Sequence, residues 1–209
     1  MKAMRFLFAV VTFLSCSVAV ASELAPDQLL KKVTDEVLEV IRNDKEIKSG
    51  DTRRAMELVE TRVVGHFNFS RMTQLAVGRE WRKATPEQKK LLTDEFRKLL
   101  VRTYSNALTQ YKNQTVAFKP LDLKAGQIDA KVRTEIRQPG TKPLNLDYYM
   151  EKSDASWRVY DIEVEGISLV TNYRGTFSSE IQEGGLDGLI ASLRTKNSAV
   201  LVGSRASKT

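Results

Sequence analysis

The chain has 209 residues, one cysteine, one histidine and a formal net charge of +7. This length suits one domain that buries a sizeable core without disulfide bonds. Zinc sites and catalytic triads usually need several histidine or cysteine residues, and this chain has one of each. We therefore expect no metal, no cofactor and no catalytic residue. Basic residues are interspersed with acidic ones along the chain, and no binding motif is present, which argues against a nucleic-acid partner.

The first 21 residues have the organisation of a secretory signal peptide. Lys2 and Arg5 precede an uncharged apolar run over residues 6–20, and Ala19-Val20-Ala21 places small residues where signal peptidase cuts. We therefore predict cleavage after Ala21 and an exported protein. Because the segment contains two basic residues, the mature chain has a net charge of +5 rather than +7.

Two alternatives to a cleaved signal remain open. A membrane anchor needs about 20 apolar residues, whereas this run has about 15. Lipidation at Cys16 requires a matching box before the cysteine, and Phe13-Leu14-Ser15 fits that box poorly. Because Cys16 is the only cysteine, its removal leaves a mature chain that can form no internal disulfide.

Apolar residues then recur every three or four positions, which predicts four helices. They are expected at residues 26–43, at residues 52–65 behind a cap at Asp51, at residues 69–77, and from Pro86 to about Lys112. Pro26 is suited to the first helical position and Gly78 to a left-handed helix end. Thr85-Pro86-Glu87-Gln88 has the arrangement of a capping box.

Beyond Lys112 the apolar period changes to two, which predicts β-strands. Strands are expected at residues 116–118, 128–136, 144–150 and 157–165, joined by short turns such as Pro139-Gly140. Further helices are predicted over residues 167–183 and 186–193. The predicted fold is therefore α+β, with helices packed on one face of a four-stranded antiparallel sheet. We expect a single domain over residues 22–195 and a flexible tail over residues 196–209.

Few residues in this chain have the pattern of a chemical site. His66 lies in a predicted loop, and Asp161, Glu163 and Glu165 alternate along the fourth strand, as carboxylates on a solvent face do. Gly184-Gly185 does not follow a strand and is not succeeded by Gly-Lys-Ser or Gly-Lys-Thr, so it is typical of a helix end rather than a phosphate loop.

Two segments carry more specific motifs. The first is Val77-Gly78-Arg79-Glu80-Trp81-Arg82-Lys83-Ala84-Thr85-Pro86-Glu87-Gln88, followed by Phe96 and Tyr104 to Tyr111. The second contains Trp157-Arg158-Val159-Tyr160-Asp161, then Glu165-Gly166-Ile167-Ser168, then Gly185-Leu186-Asp187-Gly188-Leu189. With these motifs in this order over nearly all of the mature chain, the sequence resembles the MlaC or toluene-tolerance family of periplasmic phospholipid-binding proteins.

The resemblance implies a soluble shuttle in the periplasm of a Gram-negative bacterium, and not an enzyme. Such a shuttle carries a diacyl glycerophospholipid between an outer-membrane lipoprotein and porin complex and an inner-membrane ABC transporter complex of the Mla type. It thereby maintains lipid asymmetry of the outer membrane. The acyl chains enter an apolar cavity between sheet and helices, so the lipid is cargo rather than a cofactor. We expect the carrier to be a monomer.

Matching positions predict which residues line the lipid site. They are apolar or aromatic residues of the third helix, the long helix, the sheet and the segment after it: Phe69, Met72, Leu75, Val77, Tyr104, Leu108, Leu146, Tyr148, Met150, Tyr160, Ile162, Ile167 and Val170. Ile167 is the strongest of these predictions, because its motif opens onto the cavity in the family. For each residue the alternative is ordinary core packing.

Departures from the family pattern concern the expected partner contacts rather than the pocket, and two other functions remain open. Val64-Gly65-His66 replaces a frequent Leu-Pro-Tyr-like step, and the segment after Leu193 has no match. A small envelope enzyme acting on an apolar substrate would need a polar group in the cavity, for which His66, Asp147 and Asp161 are the candidates. An adaptor that docks to envelope proteins and binds no lipid would need no cavity.

Overall fold

The computed structural model describes residues 24–153 and 156–206, with side chains through residue 198. The predicted signal peptide, its cleavage site after Ala21 and Cys16 lie outside the described residues. Within the described ranges, no helix combines the length and the apolarity needed to cross a bilayer.

Six α-helices form in the described part of the chain. They are α1 (Pro26–Asn43), α2 (Lys45–Lys48), α3 (Thr52–Arg62), α4 (Phe69–Val77), α5 (Pro86–Thr109) and α6 (Leu169–Ala206), with 3₁₀ turns at Val64–His66 and Gly78–Arg82. The four helices predicted before the sheet are confirmed, with ends within about three residues of those expected. The short helix α2 was not predicted.

Side-chain caps explain why these helices start where they do. Asp51 accepts hydrogen bonds from the backbone N–H groups of Arg53 and Arg54 at 2.9 and 3.0 Å. The Thr85 hydroxyl accepts from the N–H of Gln88, and the Gln88 side chain accepts from the N–H of Thr85, both at 3.1 Å. These bonds satisfy N–H groups that have no partner inside a helix, so local sequence alone positions both starts.

The strands form one antiparallel meander in chain order. They are β1 (Thr115–Phe118), β2 (Asp129–Arg137), β3 (Leu144–Lys152), β4 (Trp157–Val164) and β5 (Ile167–Ser168). The predicted α+β class is confirmed, but among the described residues the sheet has five strands rather than four. Glu165 and Gly166, at φ 49° and 83°, make a two-residue turn that pairs Ile167 with Val164. The first two residues of the predicted helix are therefore a strand.

A β-bulge changes which side chains of β4 share a face. Met150 pairs with Val159, but the preceding Tyr149 pairs with Asp161, so Tyr160 is an extra residue on β4. The apolar inner face of the sheet consists of Val116, Phe118, Ala130, Val132, Thr134, Ile136, Leu144, Leu146, Tyr148, Met150, Val159, Ile162, Val164 and Ile167. The outer face is polar: Lys131 lies 3.0 Å from Asp147 on the neighbouring strand.

Helix α6 is longer than the sequence predicts. The predicted stop is present as a kink at Gly185, with φ 67° and ψ −169°, but the helix continues to Ala206. Residues 196–206, where the sequence predicts a flexible tail, are helical. Asn197 is 6% exposed and donates from Nδ2 to the carbonyl and the carboxylate of Glu95 on α5, at 3.0 and 2.8 Å. This contact anchors the last part of α6. Residues 207–209 lie outside the described residues.

The backbone conformation at the kink lets us predict how a methyl group added at Gly185 changes the stability of the protein. Gly185 has a backbone conformation that only glycine adopts readily, so Gly185→Ala is expected to destabilise the protein by about 1–3 kcal/mol. Gly184→Ala is the matched control, because Gly184 lies in helical backbone with no atom within 4 Å of an added Cβ. It should be neutral or slightly stabilising. Chemical denaturation measures both, and equal effects would contradict this account of the kink.

Candidate functional site

The hydrophobic interior is divided into three clusters of buried residues. The helix cluster contains Met72, Ala76, Val77, Trp81, Leu92, Phe96, Leu100, Val170, Phe177, Leu189, Ile190 and Leu193. The sheet cluster contains Leu29, Leu30, Ala130, Val132, Met150, Trp157 and Val159. The α1–α3 cluster contains Val37, Ile41, Ile47, Ala55 and Leu58. Half-buried Phe67 contacts both the helix and the sheet clusters, and half-buried Val33 contacts both the sheet and the α1–α3 clusters.

This division is unusual for a domain of this size, which normally has one contiguous core. Among the described side chains, the three clusters are joined through residues that are themselves only half-buried. The helix cluster and the sheet cluster therefore share no fully buried residue and meet at half-buried Phe67.

Five of the predicted lipid-binding residues lie in or against the helix cluster. Met72, Val77 and Val170 belong to it and are 1%, 6% and 2% exposed. Phe69 and Leu75 pack against it and are half-buried. The structure thus brings α4 and the start of α6 together, with Phe69 and Leu75 retaining accessible surface.

Four more predicted residues lie on the inner face of the sheet. Met150 is fully buried in the sheet cluster, while Tyr148 and Ile162 are directly opposite each other and half-buried against it. Leu146 is half-buried and belongs to none of the three clusters.

Tyr148 combines a deep position with accessible surface. Burial raises the pKa of Tyr148 to about 12, so its hydroxyl stays neutral. Its side chain nevertheless remains half-buried rather than fully buried. No described residue hydrogen-bonds its hydroxyl, and this oxygen is not among the fully buried polar atoms that lack a partner. Tyr148 is therefore enclosed by protein but keeps accessible surface.

Of the other four predicted residues, only Ile167 lies on the inner face of the sheet. Leu108 packs against the α1–α3 cluster. Tyr104 and Ile167 are 46% and 66% exposed. Tyr160, the extra residue of the bulge, lies on the outer face with its ring centroid 6.3 Å from that of Tyr149. The structure therefore does not bring Tyr160 together with Tyr148 and Ile162.

An exposed apolar edge lies at one end of the inner face. Leu144, Val164 and Ile167, here called the rim, are 39%, 37% and 66% exposed. Val164 pairs with Ile167 on one side and with Leu146 on the other. The rim is therefore continuous with the half-buried part of the inner face.

Two of the three polar groups considered as catalytic candidates, Asp161 and Asp147, have structural partners. Asp161 accepts from the N–H of Val170 at 3.1 Å and from the hydroxyl of Ser168 at 2.5 Å, so it caps the start of α6. Asp147 is paired with Lys131 on the outer face. His66 is half-buried, and burial lowers its pKa. Within the described residues, no group of histidine, cysteine and acidic side chains could hold a metal ion.

Comparison with known proteins decides the family. The model of the family described as MlaC protein matches residues 31–195. The chain belongs to the MlaC family. This match confirms the resemblance seen in the motifs, and it ends at residue 195, eleven residues before the end of α6.

Individual proteins of the family are similar over different lengths. The chain is 24% identical to the intermembrane phospholipid transport system binding protein MlaC of Haemophilus influenzae over 93% of this chain and 92% of that protein. It is 30% identical to the toluene tolerance protein Ttg2D of Pseudomonas putida over 51% of this chain and 49% of that protein. The latter match thus spans about half of the Pseudomonas protein.

A solved structure matches the fold closely. The phospholipid-binding protein of Ralstonia solanacearum, determined in complex with a phospholipid, superposes with a TM-score of 0.76 at 39% identity, covering 82% of this chain and 96% of that chain. Helices and sheet of this MlaC-family chain are therefore arranged as in a protein that was solved with lipid bound.

The sequence patterns do not indicate a set of polar contacts that joins α4 to the outer face of the sheet. The Arg71 guanidinium carbon lies 3.6 Å from the ring centroid of Tyr160, and the same side chain pairs with Glu151 and, at 3.5 Å, with Asp129. Asn68 also donates to Glu151, at 2.6 Å. Because these partners come from distant parts of the chain, no local pattern could have revealed them. They give Tyr160 a structural partner on the outer face.

A cleft of about 520 Å³ lies at the opposite end of the sheet from the rim. It is lined by Leu24, Ala25, Leu123, Lys124, Ala125, Gly126, Gln127, Ile128, Lys152 and Trp157. None of the predicted lipid-binding residues is among them. This cleft is therefore separate from the region around Tyr148.

Proposed function

We propose that the mature chain is a periplasmic carrier of diacyl glycerophospholipid. It moves lipid between an outer-membrane lipoprotein and porin complex and an inner-membrane ABC transporter complex, and so maintains outer-membrane lipid asymmetry. The observation that carries this proposal is the match of the whole fold to the Ralstonia protein with its bound phospholipid. The relationship to a phospholipid transport binding protein along nearly the full chain supports the transport role.

The lipid site that we propose lies between the inner face of the sheet and the helices, where the helix and sheet clusters meet at half-buried Phe67. Its lining includes the half-buried Tyr148, Leu146 and Ile162 from the sheet and Phe69 and Leu75 from α4. The rim forms its opening. The fully buried residues of the predicted set form the packed wall behind this lining: Met72, Val77, Met150 and Val170. Tyr160 lies outside it.

The energetics of lipid transfer require an enclosed site. At about 0.8 kcal/mol per buried methylene, two chains of about fifteen methylenes represent on the order of 24 kcal/mol of transfer from water. A bilayer already supplies that free energy. A carrier must therefore bury the chains about as completely as the bilayer does, and a shallow surface groove would leave the lipid in the membrane.

If the lipid has nearly the same free energy in the carrier as in the membrane, binding alone does not set the direction of lipid transfer. A ligand shifts an equilibrium only by its difference in affinity between two states, so a well-matched carrier imposes no direction by itself. The direction of transfer is then set by nucleotide hydrolysis at the inner membrane or by docking to a partner. We propose that the chain itself is not an enzyme and that the lipid is cargo rather than a cofactor.

Lipid extraction tests the proposal directly. The mature protein is purified from a bacterial periplasm without detergent and extracted with organic solvent, and the extract is analysed by mass spectrometry. We expect about one diacyl phospholipid per chain, because an enclosed apolar site does not release its cargo to water. A folded protein that yields no lipid would contradict the carrier function and favour the adaptor. Circular dichroism of the same preparation establishes that the protein is folded.

A further inference from the structure

We propose that the rim and two lysines beside it, Lys112 and Lys142, dock the protein onto the surface of an anionic lipid bilayer. This inference rests on the proposed function, because it makes the opening of the lipid site the part that faces the membrane. The occupant of this surface is thus a bilayer of anionic phospholipid rather than a further copy of the chain or a partner protein.

The apolar part of this surface is held in place by backbone pairing. Ile167 is fixed opposite Val164 by the two-residue turn, and the N–H of Asn145, next to Leu144, donates to the Glu165 carboxylate at 2.5 Å. The three rim side chains therefore lie together on the inner face at one end of the sheet. An exposed apolar group of this kind marks an interaction surface more often than a scattered single residue does.

The charges at the same end are mainly positive. Gln114 donates from Nε2 to the Gln138 side chain at 2.8 Å, which joins the loop that carries Lys112 to the loop that carries Lys142. Both lysines are exposed and make no ion pair with any described residue. The neighbouring Glu135 is already paired with Arg137, at 2.5 Å.

Exposed apolar side chains with unpaired lysines beside them are suited to the interface of an anionic bilayer. The apolar side chains enter the boundary between headgroups and acyl chains, while each lysine near the surface gains about 1 kcal/mol from anionic lipid. Glu165 is the one exposed carboxylate in the turn between β4 and β5, and its bond to the Asn145 N–H directs it along the sheet. Docking in this orientation lets acyl chains enter the site without crossing water.

Vesicle binding by lipid-loaded protein tests the inference. The probes are vesicles of phosphatidylethanolamine with phosphatidylglycerol, and neutral vesicles of phosphatidylcholine, with binding followed by co-sedimentation. We expect preference for the anionic vesicles and weaker binding at high salt. Ile167→Ser should weaken anionic binding about fivefold through lost apolar contact, and Lys142→Gln should weaken it about fivefold through lost charge.

Each variant has a matched control at the opposite end of the sheet. Ile128 is 63% exposed against 66% for Ile167, and Leu24 is 40% exposed against 39% for Leu144. Ile128→Ser, Leu24→Ser and Lys124→Gln should therefore bind as the wild type does. Leu144→Ser should weaken binding to anionic vesicles as Ile167→Ser does, because both residues belong to the rim.

The outcomes separate this inference from the proposed function. Absence of vesicle binding, no preference for anionic lipid, or equal losses at the two ends of the sheet would overturn the docking surface. If the same preparations still contain one phospholipid per chain, the carrier function stands without it. If they contain no lipid, the carrier function fails first.

Discussion

Leu146→Trp is expected to reduce lipid binding more than tenfold while leaving the fold about as stable as the wild type. Leu146 is half-buried on the inner face, belongs to none of the three clusters, and lies between Thr134 and Val164. An indole there occupies space that acyl chains would fill. Displacing about two methylenes at about 0.8 kcal/mol each weakens binding by more than about tenfold. Mass spectrometry of the extracted lipid and denaturant unfolding measure the two effects.

The matched control for Leu146→Trp lies on the same face of the same sheet. Val132 is fully buried in the sheet cluster, so Val132→Trp adds volume where no space exists. Overpacking of that kind destabilises a protein by about 1–3 kcal/mol. If Leu146→Trp is destabilising to the same extent, Leu146 belongs to a packed core and the proposed lining is wrong at that position.

Phe96→Ala is expected to lower the free energy of unfolding by about 3–5 kcal/mol. Phe96 is 0% exposed, and its ring makes edge-to-face contacts with Tyr173 and Phe177, each with ring centroids 5.0 Å apart. The substitution removes these contacts and leaves a cavity where α5 meets α6. Since the free energy of unfolding of a domain is about 5–15 kcal/mol, the variant should lose a large fraction of its stability. Urea or guanidinium denaturation measures the loss.

Tyr104 provides the comparison for Phe96 on the same helix. Its side chain is 46% exposed, so Tyr104→Ala should destabilise the protein by about 1 kcal/mol or less. A similar loss for the two variants would show that α5 and α6 are held together by more than the packing around Phe96. A loss of lipid from the Tyr104 variant with unchanged stability would instead support its predicted place in the lipid site.

Local signals account for the parts of the fold that sequence predicts well. The bounds of α4, residues 69–77, and the start of α5 agree with the prediction because each end is specified by its own cap or turn. Asn68 accepts from the Arg71 N–H at 3.0 Å, and Gly78 has a positive φ of 67°. Such signals act over three or four residues and can be read without knowing the rest of the fold.

Elements that depend on distant contacts could not be predicted in this way. The strand β5 has two residues, too few to show a period of two, and exists because the turn at Glu165 and Gly166 returns it to β4. The last part of α6 is anchored by Asn197 to Glu95, a contact across 102 residues. A polar residue buried against a distant partner has no periodic signature.

The candidate site shows the same limit. Alternation along β4 places Tyr160 and Ile162 on one face, but the bulge inserts a residue between Val159 and Asp161 and changes which side chains point inward. Periodicity also cannot distinguish a residue that lines a cavity from one in a packed core. That distinction requires depth and accessible surface together, as seen for Tyr148.

The two half-buried residues that join the clusters, Phe67 and Val33, have a mechanical consequence. A contiguous core resists any change of volume, because every side chain must repack when one moves. Here Phe67 and Val33 each pack against two clusters, while polar contacts such as that of Asn68 with Glu151 also tie the helices to the sheet. We therefore expect a change of side-chain volume inside one cluster to be taken up mostly within that cluster.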